Sequence, residues 1–304
     1  MHNKSVIEID GKQLKLSNLD KIFYPAISFT KGQVIDYYIR IAPVLLPHLQ
    51  GRPLTLKRYP NGALEKFFYQ KECPSSRPSW LPTAPVWSES NHKHVNFCLV
   101  EDLPSLVWSA NLAALELHTS LSLAENILQP TMVVFDLDPG LPAGILECAQ
   151  VSLWLRELLS RYSLQCFAKT SGSKGLQVYL PLNTPSNYDI TKKFAHTVAR
   201  FLEQAYPDFV VSNMRKNLRK GKVFVDWSQN DDHKTTVCVY SLRARKRPTV
   251  STPVLWSEIE TMLAKRDSEL LTFDAQQVLD RVAKYGDLFS PLLSVRQQLP
   301  KLDF

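Results

Sequence analysis

The sequence predicts an α+β fold on mixed or largely antiparallel sheets, and three observations carry that prediction. Helix-period and strand-period segments follow one another without the regular βαβ rhythm of a parallel sheet. The strand-like runs, such as LTLKRYP, KFFYQK and HVNFCLV, are short. With 304 residues, 44% of them hydrophobic, the chain can bury one large core or two closely packed ones.

Each element follows from its local pattern. In TKGQVIDYYIRIAPVLLPHL the apolar residues Val34, Ile35, Tyr38, Ile41 and Leu45 share one helical face, and Thr30 is the N-cap. LTLKRYP, KFFYQK and the alternating HVNFCLV read as strands. EDLPSLVWSANLAALELHTS reads as a helix, with Asp102 as cap and Pro104 in its first turn, which puts His118 at the end of an apolar helix. Then come the strand VVFDLD, a helix over roughly 143–160, the strand LQCFAKT, the turn SGSKG and the strand LQVYLPL. Ser186 is expected to cap an amphipathic helix to about Gln204, and strands KVFVDW and TTVCVYSLRA precede about two C-terminal helices.

Composition excludes several classes. No apolar run reaches the ~18 residues of a membrane span, and MHNKSVIEIDGK lacks a signal-peptide core, so a cytoplasmic place is expected. Cys73, Cys98, Cys148, Cys166 and Cys238 are odd in number and scattered, which predicts reduced, partly buried thiols rather than a disulfide framework or zinc site. A net charge of +7 and a pI near 9.1 favour an anionic partner such as nucleic acid.

Chemistry concentrates in a few short segments. Asp136 and Asp138 end an apolar strand two residues apart, so both carboxylates project from one face and repel. Asp before Pro-Gly is equally ordinary turn chemistry. KVFVDWSQN repeats the form, and Asp226 would add a third carboxylate, a set suited to two divalent ions in phosphoryl transfer or, alone, a capped strand end. In KTSGSKG, Gly172 and Gly175 allow a turn whose N–H groups nest an anion, with Ser171, Ser173 and Lys174 as donors; a Gly-rich hairpin with a solvated lysine fits as well. Arg243 and Arg245 share a face if their strand continues, His118 reads first as a satisfied core histidine, and one of Phe67 and Phe68 is free to stack on a base.

Taken in order, LSNLDKIFYP, TKGQVIDYY, GRPLTLKRYPNG, FFYQK, VFDLDP, TSGSKGLQVYLPL, KVFVDWSQN and KTTVCVYSLRARKRPTVSTPVLW closely resemble the polymerase domain of the end-joining ligase D family, in the archaeo-eukaryotic primase superfamily. The resemblance implies a single primase-polymerase domain over 1–304, with a DNA-end-binding part to about 100 and a catalytic part beyond it. It implies Asp136, Asp138 and Asp226 as ligands of two Mn²⁺ or Mg²⁺ ions. Ser171, Lys174, His118, Lys234, Arg243 and Arg245 would surround the incoming nucleotide, with Arg219 near template or nucleotide. Lys21 and Lys31 would hold a 5′-phosphate at a DNA gap, and Phe67 and Phe68 would stack at the template step. Val239 stands where the family has proline, which touches no catalytic role.

The implied activity is template-dependent gap filling with NTPs or dNTPs in non-homologous end joining. Ku and a separate ATP-dependent DNA ligase are the implied partners, with the protein stand-alone, nucleoid-associated and free of membrane. A two-metal nuclease has no need of the triphosphate residues, and a noncatalytic DNA-end binder has none for three aspartates.

Overall fold

A computed structural model describes residues 4–88 and 92–302. The chain forms two compact units, each assembled from three segments: 1–120, 235–251 and 273–287 in the first, and 121–234, 252–272 and 288–304 in the second. Residue 100, the expected boundary between parts, falls inside the first unit.

The first unit holds a sheet in the order Thr236–Val237, Ala114–Thr119, Leu54–Arg58, Lys93–Cys98, Thr83–Ser88, and Phe68–Gln70 also pairs with Leu54–Arg58. Every pairing in it is antiparallel. The helix Lys31–Leu49 starts where the sequence placed it: Thr30 accepts from Gln33 N, and the Gln33 side chain accepts from Thr30 N, which satisfies two orphan donors of the first turn. Its buried face carries Val34, Ile35, Tyr38, Ile41 and Leu45. The N-terminal hairpin, Lys4–Ile9 with Lys12–Ser17, had no counterpart in the sequence reading.

Three expectations are corrected here. The helix capped by Asp102 ends at Asn111; Ala113 takes a left-handed φ of 62°, and Ala114–Thr119 is a central strand, so His118 lies on a strand. Tertiary pairing with Leu54–Arg58 outweighs the helical propensity of Ala and Leu there. TTVCVYSLRA is a strand only at Thr236–Val237, since Tyr240 has φ 62° and turns the chain. Cys73 and Cys98 form a disulfide, brought together at Cα–Cα 5.0 Å because Cys73 N donates to Asn96 O, beside the end of the Lys93–Cys98 strand. Cys148, Cys166 and Cys238 are buried free thiols.

The second unit holds a sheet in the order Val210–Val211, Val223–Asp226, Met132–Pro139, Leu176–Pro181, Phe167–Thr170, Pro253–Val254, antiparallel except for the first pair. Val133, Phe135 and Leu137 are fully buried in this sheet. The helix Ile145–Arg161 packs on it, and Tyr188–Ala205 is capped by Asn187, one residue beyond the expected Ser186. Among the described residues no helix is long and apolar enough to cross a membrane.

Candidate functional site

Register alone builds a polar row across the second unit's sheet. Asp226 stands opposite Asp136, Asp136 opposite Gln177, and Gln177 opposite Lys169. Directly paired residues project to the same face, so these four side chains line up, and Asp138 adds a carboxylate two residues along on that face. Asp226 is buried and its oxygens are oriented from both sides: Ser228 N at 2.9 Å and Ser228 Oγ at 2.6 Å donate to Oδ1, and Gln229 Nε2 at 2.9 Å donates to Oδ2. Lys169, also buried, donates to Gln177 Oε1 at 2.6 Å.

Burial, and after it the charge of Asp138, raises Asp136 above the usual carboxylate range; Asp226 adds to the rise, while a Gln177 hydrogen bond and the Lys169 charge oppose it. Repulsion among hard oxygen donors is what a divalent ion such as Mg²⁺ or Mn²⁺ relieves, so the donor set fits such ions. Among the described residues, tight convergence of ligand atoms within 4.8 Å occurs at Asp231, Asp232 and His233, not at these aspartates. There Lys192 Nζ, 2.5 Å from Asp231 Oδ2, already supplies positive charge.

The turn Ser171–Gly175 is fixed against the aspartate strand. A Cβ at Gly175 would stand 2.1 Å from Leu137 O, so only glycine permits the approach. Gly172 takes φ 64°, and Ser171 Oγ accepts from Ser173 N and Gly175 N, both at 3.2 Å. Ser171 thus organises the loop from within, while Ser173 and Lys174 are exposed at its tip. Lys234 Nζ donates to Ser228 Oγ at 2.7 Å and is thereby tied to the Asp226 cluster. Arg219 stacks at 3.7 Å on Phe224, whose register partner is Asp138, and its buried Nε has no hydrogen-bond partner among the described residues.

The remaining nucleotide candidates belong to the first unit. Glu116 and His118, two apart on one strand, share a face, and His118 Nε2 lies 3.1 Å from Glu116 Oε2. Arg243 Nε stands 3.4 Å from the same oxygen, whereas Arg245 is exposed. Phe67, Phe68 and Tyr69 are all about half exposed, at 50%, 45% and 57%; where strand alternation turns one phenylalanine outward, both are exposed, because Phe67 precedes the strand that begins at Phe68. Phe67 lies under Lys57 at 4.3 Å, Phe68 under Arg58 at 5.1 Å, and Tyr69 packs edge-on to His118 at 6.0 Å. Sequence reasoning missed Glu116, Lys57, Tyr69, Lys169 and Gln177. Reading ALELHT as a strand would have exposed the first, because the i, i+2 rule puts it beside His118.

Lys21 and Lys31 are joined through Lys31 N donating to Lys21 O at 2.8 Å. Lys21 is exposed and its Nζ donates to Pro60 O at 2.7 Å, whereas the Lys31 side chain, 4% exposed, donates to Ser17 O at 2.7 Å and Asn111 Oδ1 at 2.8 Å. Burial, with the charges of Lys21 and Arg58, brings Lys31 down to about 8. A buried ammonium among neutral acceptors and other cations leaves local positive charge uncompensated, as an anion site requires.

The family profile of the LigD primase-polymerase domain matches residues 30–289. The multifunctional non-homologous end joining protein LigD of Mycolicibacterium smegmatis is 42% identical over 283 residues, spanning 92% of this chain and 36% of that one. The bifunctional LigD of Bacillus subtilis is 32% identical over 300 residues, spanning 95% of this chain and 47% of that one. The chain therefore spans between about a third and a half of these relatives' length. The polymerase domain of Mycobacterium tuberculosis ligase D, solved in complex with DNA, superimposes with a TM-score of 0.85 at 39% identity, over 93% of this chain and 99% of that one. The chain belongs to the LigD primase-polymerase family, a family of metal-dependent nucleotidyltransferases with an α+β fold.

Proposed function

We propose that this protein extends a primer 3′-hydroxyl across short gaps at broken DNA, copying a template with NTPs or dNTPs during non-homologous end joining. The alignment of Asp226, Asp136 and Asp138 on one face of a sheet carries the reading, in a protein of net charge +7. These carboxylates would hold two divalent ions, Mn²⁺ or Mg²⁺, which when bound activate the attacking oxygen and neutralise the triphosphate. Ser228 and Gln229 hold the Asp226 carboxylate in one orientation, and Gln177 does so for Asp136. Lys174 and Lys234 offset charge on the departing pyrophosphate, and the Ser171 hydroxyl keeps the loop in its binding shape.

By the family pattern His118, Arg219, Arg243 and Arg245 contact the nucleotide. Phe67 and Phe68 stack at the template step, and Lys21 with Lys31 reads a 5′-phosphate. Ku and a ligase are the partners such a repair step requires, with the bacterial nucleoid as its place. The experiment is incubation with a labelled gapped duplex, Mn²⁺ and NTPs. Growth of the primer by the templated nucleotide supports the reading; shortening would make the protein a nuclease, and an unchanged strand a DNA-end binder.

A further inference from the structure

We propose that Glu116 is a positioning residue for the nucleotide's triphosphate, holding His118, Lys57 and Arg243 in the orientation that receives it. The inference rests on the polymerase reading and deepens it. Glu116 is 2% exposed, an unusual place for a carboxylate among residues proposed to bind an anion. Its oxygens divide their work. Oε1 accepts from Tyr59 OH at 3.1 Å and from Ala244 N at 3.2 Å, which fastens the Arg243 segment to the strand Ala114–Thr119. Oε2 faces the basic groups: His118 Nε2 at 3.1 Å, Lys57 Nζ at 3.4 Å and Arg243 Nε at 3.4 Å.

Burial opposes its ionisation, but the His118 hydrogen bond and the charges of Arg243, His118 and Lys57 outweigh that and hold the carboxyl well below its usual range. A permanent anion at this point has two consequences. It cancels repulsion between Lys57 and Arg243 while no nucleotide is bound. By engaging Nε2 it also leaves Nδ1 as the ring atom that, once His118 is an imidazolium, donates to a phosphate oxygen.

The groups facing His118 are Glu116 from its own strand, Lys57 from the Leu54–Arg58 strand, Tyr69 from the Phe68–Gln70 strand, and Arg243. Burial lowers His118; Glu116 pulls it up, and Arg243 and Lys57 push it down further. Removing the Glu116 charge therefore makes imidazolium harder to form, and the loss in nucleotide binding should set in at lower pH.

The test is Glu116→Gln, which keeps shape and an acceptor. Nucleotide KM and kcat are measured on a gapped duplex from pH 6 to 9, beside wild type. Extension by wild type establishes the polymerase reading separately. The expected result is a KM raised roughly tenfold at neutral pH with kcat changed less, and a KM that begins to climb at lower pH than in wild type. A KM equal to or below wild type across the range would overturn the proposal and leave Glu116 as a counter-charge for folding only. Should the variant not fold, ¹⁵N NMR of the wild-type imidazoles with inorganic tripolyphosphate decides. A hydrogen-bonded Nε2 and a His118 pKa that rises on binding support the proposal, and an unchanged His118 signal overturns it.

Discussion

Asp136 is the residue at which structure and chemistry oppose each other most plainly. A carboxyl raised by burial and by Asp138 binds its proton more tightly folded than unfolded, so its contribution to stability is greatest at low pH and declines as pH rises towards the raised folded value. Asp136→Asn should therefore raise the apo melting temperature in EDTA by a few degrees at pH 8 and by almost nothing near pH 4, while extension falls about a thousandfold. Thermal scans at the two pH values check the first part, and a variant less stable than wild type at pH 8 contradicts it. Lys31 has the opposite sign. With its ammonium brought down to about 8, the free protein loses that proton above pH 8, and a 5′-phosphate must then draw one back. The binding advantage of a 5′-phosphorylated gap over a 5′-hydroxyl gap should hold from pH 7 to 8 and then shrink, up to about tenfold per pH unit. Competition binding across that range measures it.

At the scale of elements, the sequence was most readable where a local signal suffices. Thr30 announces the start of a helix, and VVFDLD and KVFVDW announce strands by their apolar runs. ALELHT misled because Ala, Leu and Glu favour helices, and only pairing with Leu54–Arg58, some sixty residues earlier, makes it a strand. The Arg243 segment misled for a related reason: the left-handed turn at Tyr240, a residue that carries no turn signature, ends the strand. Of the candidate site, the aspartates and the glycine loop were legible, while Glu116, Gln177 and Lys169 were not, since their partners are set by strand register rather than by spacing. Gly175 supplies a prediction at this level. Gly175→Ala places Cβ 2.1 Å from Leu137 O, so the loop or the aspartate strand must shift. Stability should fall by about 2–3 kcal/mol in urea melts, with extension lost even where the fold survives. A melt within about 0.5 kcal/mol of wild type would show that the loop yields without cost.

For the molecule as a whole, a net charge of +7 coexists with a carboxylate row on the sheet of one unit. That distribution suits a protein that draws in polyanions by its general field and performs chemistry where negative charge is concentrated. The chain covers almost all of the M. tuberculosis polymerase domain, so the proposed metal-dependent addition belongs to residues of this chain rather than to the additional length of its relatives. Single-turnover addition of one templated nucleotide to a gapped duplex, compared between wild type and Asp226→Asn over a Mn²⁺ titration, tests it most directly. Templated addition should require the ion, and the variant should be slower by about a thousandfold although folded. A variant within about tenfold of wild type, or addition indifferent to Mn²⁺ and template, would contradict it.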